Sequence, residues 1–250
     1  MADTEKRAST VDFGYRTVPR ETKQTLVGNV FRSVAGRYDL MNDLMSAGTH
    51  RLWKASMVQS LRPVNGRHYL DVAGGTGDIA FRIAAAAPGA NITVADISDA
   101  MLEEGRRRAD RRGLHLDWLT ANAESLPFAD AGFHGYTIAF GIRNVTDRQQ
   151  ALAEAYRVLK PGGRFLCLEF SHLAIAPLRR LYERYSFAVI PQIGAWVAGD
   201  RDSYQYLVES IRQFPRAEAF SAMMREAGFE RVGFRRMTGG VVALHSGWRL

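Results

Sequence analysis

The sequence has almost no cysteine: Cys167 is the only one in 250 residues. That excludes an intramolecular disulfide and makes a reducing compartment, the cytoplasm, the expected location. Long hydrophobic runs are missing as well. The most apolar late stretch, 186–198, is short and is broken by Pro191 and Gln192, so no segment is expected to cross a bilayer. The first thirty residues mix charged and polar types without the apolar core of a secretory signal. Lysine is scarce, at positions 6, 23, 54 and 160. No zinc-ligand spacing, helix-turn-helix pattern or RNA-recognition signature is present, which argues against a metal site and against nucleic acid as a partner. Internal repeats and low-complexity tracts are absent too.

What is there fits a globular α/β protein. Hydrophobic residues make up 46% of the chain, enough for one large domain or a core with appended helices. The net charge of +7 is carried mostly by arginine and favours anionic partners, lipid headgroups among them. The densest run, Arg106, Arg107, Arg108, Arg111 and Arg112, shares a predicted helix with Glu103, Glu104 and Asp110. A solvated helix face is the favoured account of it.

Helical spacing runs from about 21 to 61, with Leu26, Val30 and Val34 and then Leu40 and Leu44 on one stripe. After Pro63, Asn65 and Gly66 the chain alternates. Strands are predicted over 69–72, 91–97, 115–120, 135–140 and 163–170, and helices over 78–87, 99–112 and 148–159. Such alternation means βαβ units and a mostly parallel sheet covered on both faces. A helix over 217–227 precedes strands over 230–237 and 239–248, close enough to pair antiparallel across Thr238-Gly239-Gly240. The expected fold is therefore Rossmann-like, a seven-stranded, mostly parallel sheet with an antiparallel C-terminal strand. It forms a single domain: an N-terminal helical cap (1–62), a nucleotide-binding core (63–171), an aromatic-rich helical insertion or lid (172–214) and C-terminal core elements (215–250).

The chemical signal sits at 70–80. There Leu-Asp-Val-Ala-Gly-Gly-Thr-Gly-Asp-Ile-Ala reads as a strand entering a glycine-rich loop and then a helix. Small residues let backbone approach a ligand, and the helix start offers free N–H groups. Gly75, Gly77 and Ala80 also satisfy a dinucleotide fingerprint, with Asp96 near the spacing for a ribose acid. Two ligands remain open on this evidence, NAD and S-adenosylmethionine, because each carries an adenosine ribose. Asp71 before the loop and Asn122-Ala123-Glu124 after the third strand favour the methyl donor, the first facing its amino group and the second its adenine edge.

Two blocks, Phe31-Arg-Ser-Val-Ala-Gly-Arg-Tyr-Asp-Leu-Met-Asn-Asp-Leu-Met-Ser and Gly48-Thr-His-Arg-Leu-Trp-Lys54, resemble the N-terminal signature of the ubiquinone/menaquinone biosynthesis C-methyltransferases. Phe140-Gly-Ile-Arg-Asn-Val-Thr-Asp147, Arg157-Val-Leu-Lys-Pro-Gly-Gly163 and Leu168-Glu-Phe-Ser171 resemble its later blocks. The likeness spans about Phe13 to the C-terminus. It implies a class I fold and methyl transfer from S-adenosylmethionine to a ring carbon of a polyprenylated quinol, 2-methoxy-6-polyprenyl-1,4-benzoquinol or demethylmenaquinol. It also implies donor contacts at Thr76, Asp96, Asn122 and Ala123, joined by Asp71, Gly75 and Gly77 from the loop reading. The family commonly has Ser where this chain has Ala139, so no hydroxyl contact is expected there.

If the quinol hydroxyl resembles tyrosine, ionising it at neutral pH costs roughly 4 kcal/mol. Arg143 is the candidate to stabilise the resulting oxyanion, Asn144 to orient the other ring oxygen, and Tyr38 to close the pocket. Asp39, Asp43 and His50 are secondary candidates for proton handling. The apolar segment 187–197 is expected to take the polyprenyl tail while surface arginines hold an anionic membrane, placing a cytoplasmic enzyme peripherally on its inner face. A homodimer and association with other quinone-biosynthesis enzymes are compatible with the resemblance.

Overall fold

The computed structural model describes residues 10–34, 43, 46, 48–172 and 201–250. Two short strands, β1 (Thr10–Phe13) and β2 (Arg16–Pro19), form an antiparallel hairpin ahead of helix α1 (Arg20–Val34). The sequence pattern predicts only helices in this region, so the hairpin is a departure. Its strands hold four residues each, too few for an alternating pattern to stand out. Gly14 turns the chain with φ +59°. Helix α2 (His50–Leu61) follows and buries Trp53, Met57, Val58 and Leu61.

The main sheet has seven strands in the order β5-β4-β3-β6-β7-β9-β8, with β3 His68–Val72, β4 Asn91–Asp96, β5 Asp117–Thr120, β6 Phe133–Ala139, β7 Leu159–Phe170, β8 Glu230–Met237 and β9 Val242–Arg249. Pairing is parallel from β5 through β7, and β9 runs antiparallel to both β7 and β8. This is the expected architecture. Helices α3 (Asp78–Ala86), α4 (Asp99–Asp110) and α5 (Arg148–Val158) make the crossovers, and α6 (Arg201–Gln213) and α7 (Ala217–Glu226) complete the described helices.

Strand alternation divides the core between the two faces. On β7, Leu166, Leu168 and Phe170 join α2 and α3, whereas Phe165 and Cys167 join α5 and α7. A third, smaller cluster lies outside the sheet, where Phe13, Val18, Val27, Val30 and Tyr206 join the hairpin, α1 and α6. The chain runs outward from β3 to β4 and β5 and then returns to β6 on the other side of β3. That reversal opens a crevice at the strand carboxyl ends, where sheets of this kind bind ligands.

Candidate active site

A cleft of about 730 Å³, measured to its open mouth, occupies that crevice. Its floor comes from the loops after four strands: Ala73 and Gly75 after β3, Asp96 and Ile97 at β4, Ala121 to Glu124 after β5, and Phe140 and Gly141 after β6. Met101 of α4 and Gln24 and Val27 of α1 close its sides, and Asn144, Val145 and Thr146 complete the wall. Ala73 and Phe140 hold positive φ values of 50° and 57°. Strained backbone of this kind at two strand ends persists where the surrounding fold imposes it, and it clusters at ligand sites.

The glycine loop has little room to vary. A Cβ on Gly74 would lie 2.6 Å from Val94 Cγ1 and 2.8 Å from Asp71 Oδ2. One on Gly77, at φ +85°, would lie 2.6 Å from the Trp118 ring. The first glycine seats the loop over β3 and β4, and the second lets α3 start beneath Trp118.

Two carboxylates flank the loop. Asp71 is 1% exposed; its Oδ1 accepts from the Thr137 hydroxyl at 2.8 Å, while Oδ2 has no hydrogen-bond partner. Burial pushes its pKa up to about 7, against the Thr137 hydrogen bond and the Lys54 charge. Asp96 Oδ2 accepts from Gly75 N–H at 2.9 Å and Oδ1 from Ser98 N–H at 2.9 Å. Burial pushes it up to about 6 even so. Each of its oxygens keeps a second lone pair, so the acid is both fixed in place and able to accept again. Lys54 is buried and donates to Asp78 Oδ2 at 2.8 Å, at the start of the helix behind the loop.

Of the donor contacts expected from sequence, Gly75, Asp96, Asn122 and Ala123 line the cleft, whereas Asp71 and Gly77 do not. Asn122 Oδ1 accepts from Glu124 N–H at 2.9 Å, an Asx turn that leaves its amide nitrogen for a ligand. Thr76 is buried and turned toward α4, its hydroxyl accepting from Arg108 at 3.4 Å, and it does not line the cleft. The remaining arginines of the α4 run pair largely with Glu103 and Glu104.

Asn144 lines the cleft and is 8% exposed. Arg143 stands behind it. Its guanidinium donates to Glu169 Oε1 at 2.9 Å and to the Phe140 carbonyl, and its backbone N–H reaches Glu169 Oε2 at 3.4 Å. Glu169 is fully buried. The cation is thus paired one-to-one with a carboxylate within the wall, with its Nε unpartnered. Tyr38 and Asp39 lie outside the described residues, as does the segment 187–197. Asp43 accepts from His50 Nε2 at 2.9 Å and from Arg51 at 2.8 Å, which explains it without a paired carboxylate. Burial lowers the His50 pKa despite Asp43.

Gln24, Val27 and Met101 were not expected on the cleft. Val27 lies on the apolar face of α1 beside Leu26 and Val30, and only the packing shows that it also borders the cleft. Among the described residues no helix is long and apolar enough to cross a membrane, and none of their His, Cys, Asp and Glu side chains cluster as a metal site.

The ubiE/COQ5 methyltransferase family model matches residues 8–249. The chain is 58% identical to a ubiquinone/menaquinone biosynthesis C-methyltransferase of Methylobacterium nodulans, covering 97% of this chain and 98% of that one. It is 60% identical to the enzyme of the same name from Rhodopseudomonas palustris, covering 96% and 98%. Among solved structures, Haemonchus contortus phosphoethanolamine N-methyltransferase 2 in complex with S-adenosyl-L-methionine superposes with a TM-score of 0.60 at 14% identity, over 78% of this chain and 52% of that one. With a family match across nearly its whole length, laid on a class I methyltransferase sheet, the chain belongs to the ubiE/COQ5 methyltransferase family.

Proposed function

We propose that this S-adenosylmethionine-dependent C-methyltransferase of ubiquinone and menaquinone biosynthesis acts on 2-methoxy-6-polyprenyl-1,4-benzoquinol, demethylmenaquinol or both, at the cleft above β3 and β6. The observation that carries the reading is the cleft's polarity. Two raised carboxylates, Asp71 and Asp96, mark one side, and the Asn144 amide marks the wall after β6. The donor fits the residues present: Asp71 Oδ2 is an orphaned acceptor beside a loop in which Gly74 leaves no space for a side chain.

Asp96 would take the ribose hydroxyls on its remaining lone pairs, Asn122 and the backbone at Ala123 the adenine edge, and Asp71 the amino group. Gly75, Thr76 and Gly77 would contribute backbone. When bound, the donor supplies an electrophilic methyl on a sulfonium. The protein's task is then to make the ring nucleophilic. Arg143 lowers the roughly 4 kcal/mol cost of ionising a phenol at neutral pH through its field on the ring oxygen, and the released proton leaves through water, because arginine is a poor base. Its partner Glu169 moderates that field, which keeps the oxyanion from being held too tightly to share its electrons with the ring. Tyr38 closes the pocket in this scheme.

Residues 1–62 and 172–214 would cover the 63–171 core, with 215–250 completing the sheet and 187–197 receiving the tail. The +7 charge supports a peripheral site on the inner face of an anionic membrane; a homodimer and contacts with other quinone-biosynthesis enzymes belong to the same proposal. The test is turnover: purified protein, labelled S-adenosylmethionine and each reduced acceptor, with products read by mass spectrometry. Ring-methylated product is expected from at least one. Donor binding without transfer to either would overturn the assignment.

A further inference from the structure

Asn144 carries a buried amide of which one half is used. Its backbone N–H closes the turn Ile142–Asn144 onto the Gly141 carbonyl at 3.0 Å. Its Oδ1 accepts from the Tyr206 hydroxyl of α6 at 3.1 Å. Its Nδ2 is buried with no protein partner, in a residue that lines the cleft.

An amide in such a wall has two orientations half a turn apart, and its neighbours choose between them. Here the choice is made from behind. Tyr206 is 5% exposed, and burial pushes its pKa up to about 12, so the phenol keeps its proton and has it to donate. The Asn144 carbonyl is the acceptor it reaches. Were the amide reversed, two N–H donors would face a phenol that has its own proton to place. The Arg143 and Arg148 cations act at the Tyr206 hydroxyl against the Glu169 carboxylate, so the phenol's own hydrogen bond, not a net field, sets the amide. The phenol itself is well held. Phe13 of the hairpin stacks on its ring at 4.1 Å and 18°, and Tyr15 N–H donates to Glu209 at 2.9 Å, one turn along α6.

We infer that Tyr206 is a positioning residue: its hydroxyl pins the Asn144 carbonyl so that the amide N–H2 is the group presented to a ring oxygen of the quinol. This deepens the proposed function and rests on it. The N-terminal hairpin and α6 thereby gain a role at the cleft, since they set which pole of the amide the acceptor meets. A donor at that place binds an oxygen more tightly as negative charge collects on it, so the hydrogen bond favours the ionised ring over the neutral one.

The experiment uses the full-length enzyme with initial rates, donor affinity by calorimetry and melting temperature. Tyr206→Phe keeps the stacked ring and removes only the hydroxyl. Expected are an unchanged donor Kd, a melting temperature within a few degrees of wild type, and kcat lowered by roughly tenfold. Asn144→Asp still offers Tyr206 an acceptor but has no N–H, and should be as impaired as Asn144→Ala. In the Asn144→Ala background, Tyr206→Phe should have no further effect. Wild-type kcat in Tyr206→Phe, an active Asn144→Asp, or the full tenfold loss repeated in Asn144→Ala would each overturn the inference while leaving the quinol reading intact. A wild-type enzyme that methylates no quinol would sink that reading, and this inference with it.

Discussion

Replacing Asp71 by Asn should make the free enzyme more stable and the donor complex weaker. Asp71 is 1% exposed, with Oδ1 held by Thr137 at 2.8 Å and Oδ2 without a partner. Burial raises its pKa from the ordinary 3.8 to about 7. A folded-state pKa above the unfolded one means that the native protein binds the proton more tightly. The stability this gives is fully present below the unfolded value and is lost as pH rises through the folded value. A difference of about 3 units at about 1.36 kcal/mol each sets a ceiling of about 4 kcal/mol withdrawn above roughly pH 7. Asp71→Asn cannot ionise, and its carbonyl can still accept from Thr137. Its NH2 is as orphaned as the oxygen it replaces, so the net gain falls below the ceiling, but its pH dependence survives. The variant should melt higher than wild type near pH 8, by several degrees at about 2–4 °C per kcal/mol for a chain of this size, and the gap should shrink toward pH 4. Its donor Kd should rise about tenfold or more, the loss of one charge-assisted hydrogen bond. Scanning calorimetry across pH, with and without S-adenosylmethionine, reads both effects. Superimposable melting at pH 8, or a gap that stays the same at pH 4, would refute the reasoning.

Asp96→Ala should weaken donor binding at least tenfold and loosen the loop through the lost Gly75 contact, readable by calorimetry. Gly77→Ala must place a Cβ at φ +85° against Trp118 and should lower the melting temperature by the equivalent of about 1–3 kcal/mol; an unchanged melting curve would contradict the geometry. Arg143→Ala leaves Glu169 buried and unpaired and should cost about 3–5 kcal/mol of stability, which confounds a turnover assay. The paired change Arg143→Met with Glu169→Gln removes both charges; it should stay folded, bind donor and turn over at least tenfold more slowly, and wild-type turnover would take Arg143 out of the chemistry. Flotation with anionic liposomes should carry the protein at low salt and release it at high salt; no binding at low salt would end the membrane proposal.

The sheet was legible because each of its strands carries its own signal. β3 and β7 read as apolar runs and the crossover helices as periodic ones, whereas the strand order with its reversal beside β3 comes from pairing between segments distant in sequence. The placement at one cleft of residues proposed for the donor was legible for a related reason. Gly75, Asp96 and Asn122 sit at or just past the ends of consecutive strands, so local sequence order is also spatial order. Thr76 shows the limit of that logic: its place in the loop is as expected, but its side chain faces Arg108, which only the packing of α4 decides. The Arg143–Glu169 pair needed β6 and β7 to be neighbours before two separate motifs became one ion pair. The hairpin escaped notice because its order comes from stacking on a helix near the far end of the chain.

The acceptor side differs in kind. Asn144 is in a recognisable block, yet what it can do depends on Tyr206, and Tyr206 depends on Phe13; the three come from the middle and both ends of the chain. No local pattern encodes such an arrangement, since each residue taken alone reads as an ordinary polar or packed aromatic side chain. The cleft proposed for the donor is built on the loops that follow β3, β4, β5 and β6, whose strands pair in one parallel set. The proposed acceptor wall at Asn144 follows β6 and is backed, through Tyr206, by a satellite core of five buried residues outside the sheet. A single donor-binding sheet can therefore accept different nucleophiles through changes in α1, α6 and the hairpin. Substitutions confined to that satellite should move acceptor KM and kcat while leaving donor affinity where it is.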